Sequence, residues 1–199
     1  MAVSGIVPGF RPDGHLPQGR YRVDMAQAYD LLVGHERFAT SRTRGPLWDG
    51  LTSYLLMFEG LQERYAELVD GRELISLLWL AGSYVSAKLD PGDIDVTVFT
   101  NAEVVDLIKG KPGAKWLMDA FHREKMGEKY KLDPFQVSYR AVPHAFNVTG
   151  MTPLEAGYFR DRGRYDDWWQ RLHPSDTVDK QAPTMDSCMA ARGYLEVTL

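Results

Sequence analysis

The segment WLAGSYVSAKLDPGDIDVTVF, Trp79–Phe99, joins two apolar runs through a polar connection. Each run carries something that a buried strand avoids. The first stops at Gly82-Ser83, and the second holds Asp93 and Asp95 among isoleucine, valines and phenylalanine. In a strand, residues i and i+2 share a face and lie about 6.6 Å apart along the chain. The two carboxylates therefore project together while Ile94 and Val96 enter the core. Like charges held so close raise each other's pKa unless cations lie between them. Two-metal phosphoryl-transfer sites space their ions about 3.5–4 Å apart, a span such a pair can bracket. The chain offers no Cys/His cluster for zinc, so hard cations with oxygen ligands fit best. A bare Asp-x-Asp more often ends a strand at solvent. Gly82-Ser83 narrows the choice: glycine lets a phosphate approach the backbone, and serine adds a hydroxyl and an N–H donor.

Around this segment the chain reads as one domain over its 199 residues, with a Gly- and Pro-rich extended arm at about 1–23. Composition is that of an ordinary soluble protein, 44% apolar and 25% charged. No apolar run nears the roughly 18 residues of a membrane helix, and the N-terminus lacks the basic start and apolar stretch of a signal peptide. The single cysteine, Cys188, excludes an internal disulfide and points to a reducing, cytoplasmic setting. A net charge of −4 argues against a protein that coats nucleic acid. Between Lys109 and Lys131, however, seven basic residues stand against three acidic ones. That excess either faces a polyanion or forms a solvated helix face.

Periodicity predicts the elements. Asp24 caps a short helix through about Val33, and a longer helix follows Pro46 with Leu47, Leu51, Leu55 and Phe58 on its apolar stripe. LISLLWLAG and DIDVTVF read as buried strands. Asn101 caps the next helix, AKWLMDAFHREKMGEKY reads as one amphipathic helix, and KYKLDPFQVSYRAV as a strand interrupted at Pro134. YFRDRGRYDDWWQRL reads as helical, and GYLEVTL as an edge strand. The order implies an α+β fold, a mixed sheet with helices packed on it.

Strand, Gly-Ser, a nine-residue connection and then Asp-Ile-Asp resembles the signature of the DNA polymerase beta-like nucleotidyltransferase superfamily. GHLPQG near the start, GSYVSAK…DPGDIDV and the terminal RGYLEV are similar to a narrower group of small, largely uncharacterised bacterial proteins with a minimal nucleotidyltransferase fold. The resemblance implies that Asp93 and Asp95 are metal ligands and that Gly82 and Ser83 hold an NTP, ATP being the first choice. Ser86 and Lys88 match the narrower pattern and are assigned to nucleotide binding with them. The superfamily takes a third carboxylate from a later strand. Asp133 in YKLDPFQVSY is the candidate, although Asp-Pro is also a common turn pair. Asp166-Asp167 is a poorer one, because adjacent residues diverge. The implied reaction moves a nucleoside monophosphate from an NTP to an acceptor hydroxyl with two Mg²⁺ ions, or Mn²⁺, and pyrophosphate leaves. The acceptor is open, delivery by a partner protein is one route, and relatives of this build occur in toxin–antitoxin and antiphage systems.

Two other readings stand beside it: a non-catalytic nucleotide-binding or interaction module, and an enzyme that acts on RNA or makes oligonucleotides. The five histidines, His15, His35, His122, His144 and His173, show no ligand spacing. Arg42 and Arg44 either reach toward a triphosphate or lie on the surface. Tyr158, Phe159, Tyr165, Trp168 and Trp169 form a stacking platform or, at helical spacing, a packing stripe.

Overall fold

The computed structural model describes residues 7–172, 185 and 188–199. His173 and the first six residues of the expected arm lie outside them. Five strands, β1 (Gly19–Asp24), β2 (Ile75–Ala81), β3 (Ile94–Asn101), β4 (Leu132–Tyr139) and β5 (Gly193–Thr198), form one sheet in the order β1-β5-β2-β3-β4. The outer pairs β1/β5 and β3/β4 are parallel, and β2 runs antiparallel to both its neighbours. Helices α1 (Met25–Tyr29), α2 (Arg44–Arg64), α3 (Ala66–Val69), α4 (Ala102–Ile108), α5 (Trp116–Asp119), α6 (Arg123–Tyr130) and α7 (Pro153–Gln170) complete an α+β fold.

The alternation within β3 sorts the two faces. Ile94, Val96 and Val98 join Leu78, Leu80, Leu195 and Val197 in the larger core, beneath Leu47, Leu51 and Phe58 of α2. Phe99 and its same-face neighbours Trp79, Val137 and Tyr194 form a second core with Tyr158 and Trp169 of α7. A sheet covered on both sides needs apolar residues at almost every position of its central strands, as β2 and β3 have. The caps follow the residue chemistry. Asp24 forms a capping box with Gln27, Asn101 accepts from the Glu103 and Val104 amides, and Thr152 forms a capping box with Glu155 ahead of Pro153.

Four expectations change. The arm carries β1, an edge strand whose Tyr21 and Val23 alternate with Arg20 and Arg22. GYLEVTL is no edge: β5 lies between β1 and β2, with Gly193 to Val197 all buried. The strand around Pro134 runs without interruption, and β4 lies at the sheet edge, one of the two places (edge or bulge) that a proline there suggests. The expected single helix over 114–130 is two short ones. The Ala120 carbonyl takes the Tyr54 hydroxyl at 2.9 Å, and the His122 side chain caps α6 by accepting from the Lys125 amide. At α1 the α-helical pattern ends at Tyr29 and a π-turn carries on over Asp30–Gly34.

Arg44 is neither a surface residue nor a triphosphate arm. It is 1% exposed and stacks over Phe38, 3.6 Å from guanidinium carbon to ring centre. Its nitrogens donate to the carbonyls of Leu32 and Tyr84 (both 2.9 Å), Ser86 (2.7 Å) and Lys88 (2.7 and 3.2 Å). Burial lowers its pKa to about 10, so it stays charged at neutral pH. Arg42 is tied nearby: its amide donates to Asp90 at 2.7 Å and its guanidinium pairs with the same carboxylate at 3.7 Å. Together they clamp the connection between β2 and β3 to the start of α2.

We expect Arg44→Ala to lower unfolding free energy by about 3 kcal/mol or more, since four carbonyls lose a charged donor in a buried place. Arg44→Lys should recover little, because an ammonium cannot reproduce the planar fork. Denaturant unfolding of the two variants measures both.

Candidate functional site

The sheet brings three of the sequence-predicted residues to one end of the α7-covered face. Asp95 on β3 is the register partner of Asp133 on β4 and of Ala81 on β2, whose next residue is Gly82. Register partners share a face, so both carboxylates stand on the side that carries Thr97, Phe135 and Trp79. Asp93 lies immediately before β3 and is exposed. The apolar cover stops one residue pair away, where the Trp169 indole donates to Thr97 Oγ1 at 2.8 Å and its ring packs on Phe135, 5.3 Å between centroids. Trp169 and Tyr158 are buried there, so the α7 aromatics act as a packing stripe rather than an exposed platform.

Gly82 has φ +68°, a left-handed conformation that side chains rarely adopt. A Cβ built on it would fall 1.8 Å from Asp95 Oδ2. The glycine therefore makes room for the Asp95 carboxylate itself, a different reason from the phosphate approach its sequence context implied. Ser83 follows, partly exposed. Ser86 is 5% exposed, donates its hydroxyl to the Ser83 carbonyl at 2.7 Å and accepts from the Lys88 amide at 3.2 Å. Its polar atoms shape the turn. The Lys88 side chain is exposed.

Three further side chains complete the surroundings. Arg123, the first residue of α6, grips both oxygens of Asp133 and stacks over Phe135 at 5.0 Å. Its pKa is raised by the hydrogen bond to Asp133 and, more weakly, by the charge of Asp95. Arg192, just before β5, donates Nε to the Trp169 carbonyl at 3.1 Å. Burial lowers its pKa, and the charge of Asp95 opposes that shift. His15 forms an isolated bridge with Ser86, and its Nδ1 is buried with no hydrogen-bond partner. Burial and the nearby Arg192 charge lower its pKa, so it is neutral at pH 7. Sequence alone gave little for these three. Arg192 opens the RGYLEV run, whereas Arg123 is one of seven basic residues in its stretch and His15 one of five scattered histidines.

The oxygen-only donor set suits a hard cation in kind, and Asp95 and Asp133 are neighbours in register. Among the described residues no three His, Cys, Asp or Glu side chains converge closely enough to hold a metal ion. The partner that Asp133 holds is the Arg123 guanidinium.

The chain belongs to a family of unknown function, DUF6932, whose model matches residues 8–198. No curated protein matches it.

Two outcomes follow from this geometry. Gly82→Ala should destabilise by about 2 kcal/mol or more, combining left-handed strain with the collision against Asp95. In an Asp95→Ala background the collisions with the carboxylate go, leaving the backbone strain of about 1–2 kcal/mol and a tight 3.2 Å approach to the residue-95 Cβ, and a double-mutant cycle in denaturant reads the coupling directly. The second outcome concerns His15, whose folded pKa is lowered from 6.5. The unfolded chain then binds the proton first as pH falls, so this residue's contribution is present above about 6.5 and is lost below it. Thermal melts between pH 7.5 and 5 should show a shallower decline for His15→Gln than for the wild type.

Proposed function

We propose that the chain is a metal-dependent nucleotidyltransferase that moves a nucleoside monophosphate from an NTP, ATP first, to an acceptor hydroxyl. The observation that carries this reading is the placement of Asp95 against Gly82 on one side and beside Asp133 on the other. A strand end that gives up a side chain to seat one carboxylate next to a second sets two like charges side by side, which the fold offsets with Arg123 on Asp133 and the charges of Arg123 and Arg192 near Asp95. The arrangement has a use if the pair serves chemistry.

The residues divide the work. Asp93, Asp95 and Asp133, which do not converge as a metal site here, would have to close on Mg²⁺, which when bound would supply a Lewis acid for the α-phosphate and lower the pKa of the acceptor hydroxyl. Gly82 and Ser83 would meet the triphosphate, with Lys88 as a mobile cation at the rim. The acceptor oxygen bonds to the α-phosphorus as the bond to the leaving pyrophosphate breaks. The hydroxyl proton passes to a carboxylate or to water. The Arg192 guanidinium, held at the Trp169 carbonyl and sensing the charge of Asp95, would stabilise negative charge on a phosphate bound there. Among the described residues no helix is long and apolar enough to cross a membrane. A cytoplasmic setting, a partner protein that delivers the acceptor, and a toxin–antitoxin or antiphage role belong to this same proposal.

The Arg123–Asp133 pair favours a second reading, a nucleotide-binding or interaction module without turnover, because it engages the third carboxylate. The acidic net charge weighs against an RNA-directed enzyme.

Incubation with labelled NTPs, Mg²⁺ and either cell extract or purified RNA separates these readings. Label in protein or a small product supports the first, label in RNA the third, and no label the module. In the active case Asp93→Ala and Asp95→Ala should abolish transfer, while Asp133→Asn should keep NTP affinity and slow turnover by about 10²–10⁴-fold. Unchanged turnover in either of the first two variants would remove the assignment.

A further inference from the structure

We propose that two copies of this chain pair about a two-fold axis at the last turns of α2, the acidic cavity of each receiving the lysine loop of the other. The surface is separate from the candidate site: β2 begins at Ile75 beside Thr100, whereas Asp95 pairs with Ala81 at the far end of the same strands.

The cavity, about 420 Å³, lies between α2 and the start of β2. Buried Leu55, Phe58 and Ile75 line its floor, and exposed Glu59, Glu63 and Glu73 its rim. Gln62 ties the two walls, donating to Glu73 at 2.6 Å and accepting from the Leu74 amide at 2.7 Å. An apolar floor under a rim of carboxylates suits lysine, whose methylene stem covers apolar surface while its ammonium stays among charges. Leu56, one turn before Glu59, is 61% exposed and extends the apolar contact. The lysine loop joins α4 to α5 and carries Lys109, Lys111 and Lys115, all exposed. It is anchored to the same helix end, since Arg64 donates to the Pro112 carbonyl at 3.4 Å and the Tyr65 hydroxyl donates to it too. Gly110 and Gly113 take φ of +77° and +84°, and the Lys111 and Ala114 amides close turns on Ile108 and Lys111 at 3.1 and 3.0 Å. A loop already held in shape loses little freedom on binding.

Residues 62 and 64 lie about 200° apart round a helix, so cavity and loop stand on opposite flanks of α2. Neighbouring charges are engaged elsewhere: Arg72 pairs with Glu103, and Lys125 with Asp119. A two-fold interface requires that one patch meet a second while the second meets the first, a condition that complementary patches either side of one axis satisfy. Turned about the end of α2, three carboxylates of one copy face three lysines of the other, twice over. Opposite charges of this kind set specificity and encounter rate, and salt screens them.

Sedimentation velocity of the full chain tests this, with circular dichroism as the check on folding. The wild type should form a dimer whose dissociation constant rises at least about tenfold between about 0.05 M and about 0.5 M salt. Lys109→Glu with Lys111→Glu should be monomeric, and so should Glu59→Lys with Glu63→Lys, because like charges then face each other. An equal mixture of the two variants should restore the dimer. The untouched carboxylates of the first then meet the untouched lysines of the second, and the reversed patches meet with signs exchanged. Misfolded variants cannot rescue each other in this way. A wild type that stays monomeric at sub-millimolar concentration overturns the pairing, as does a dimer unmoved by either reversal or a mixture that stays monomeric. Species that grow without limit as concentration rises show head-to-tail contact and overturn the two-fold axis. A monomer whose cavity instead binds a synthetic lysine-rich amphipathic peptide assigns the cavity to a different protein, and the self-pairing falls.

Discussion

Asp95 occupies the volume that a Cβ at residue 82 would fill, and much of the structure follows from that contact. It fixes the residue after β2 as a left-handed glycine, so the chain turns sharply out of the sheet there. It also fixes how far β3 reaches along β2, because Asp95 must pair with Ala81 to lie against the next residue. The connection that leaves Gly82 then has to return after ten residues to present Asp93. Arg44 makes that return dependable by holding the carbonyls of Tyr84, Ser86 and Lys88 with one buried cation. Fold and candidate site are thus set by the same few atoms.

The α7-covered face carries more charge than a core usually admits. Glu196 is 8% exposed, yet it accepts from the Trp79 indole at 3.1 Å and pairs with Arg20 at 3.3 Å and Arg22 at 3.9 Å. The Tyr194 hydroxyl donates to Asp166 on α7, and Arg162 lies over Trp79 and Phe99. Such networks add little net stability against apolar packing, but a missing partner is severely penalised. They therefore select one seat for α7 and exclude nearby alternatives. Asp166, a weak ligand candidate from sequence, works in this network.

The sequence revealed what depends on local chemistry. Glycine, serine and alternating aspartates at strand ends, the caps at Asp24 and Asn101, and the α2 stripe could all be read from spacing. Partnership across the sheet was not legible in the same way. Glu196 in GYLEVTL resembles the outward charge of an edge strand, and only the tertiary fold supplies Arg20, Arg22 and Trp79 to bury it. GRYRVD fell within or just beyond the Gly- and Pro-rich arm, whose composition gives no sign that Arg20 and Arg22 meet Glu196. Arg44 was missed because a buried arginine and a surface one have the same neighbours in sequence. Its carbonyl partners come from residues 32 and 84–88. The pairing of Asp133 with Arg123 was invisible too, since a basic residue ten positions away gives no sign of which carboxylate it meets.

The order β1-β5-β2-β3-β4 bears on how this chain comes off the ribosome. The strand that joins β1 to the rest follows all the other strands in the chain, and it pairs with one neighbour in parallel and the other antiparallel. Until residues 193–198 emerge, β2 shows a row of unpaired backbone groups beside Trp79 and Leu80, and β1 has no partner. Exposed apolar edges of this kind are templates for pairing between chains. A nascent chain can assemble β2, β3 and β4 with both aspartates already in register, yet it stays open to association until β5 is made. Insertion of β5 closes that window, carries Arg192 to the Trp169 carbonyl where it senses the charge of Asp95, and makes completion of the sheet and completion of the candidate site a single event.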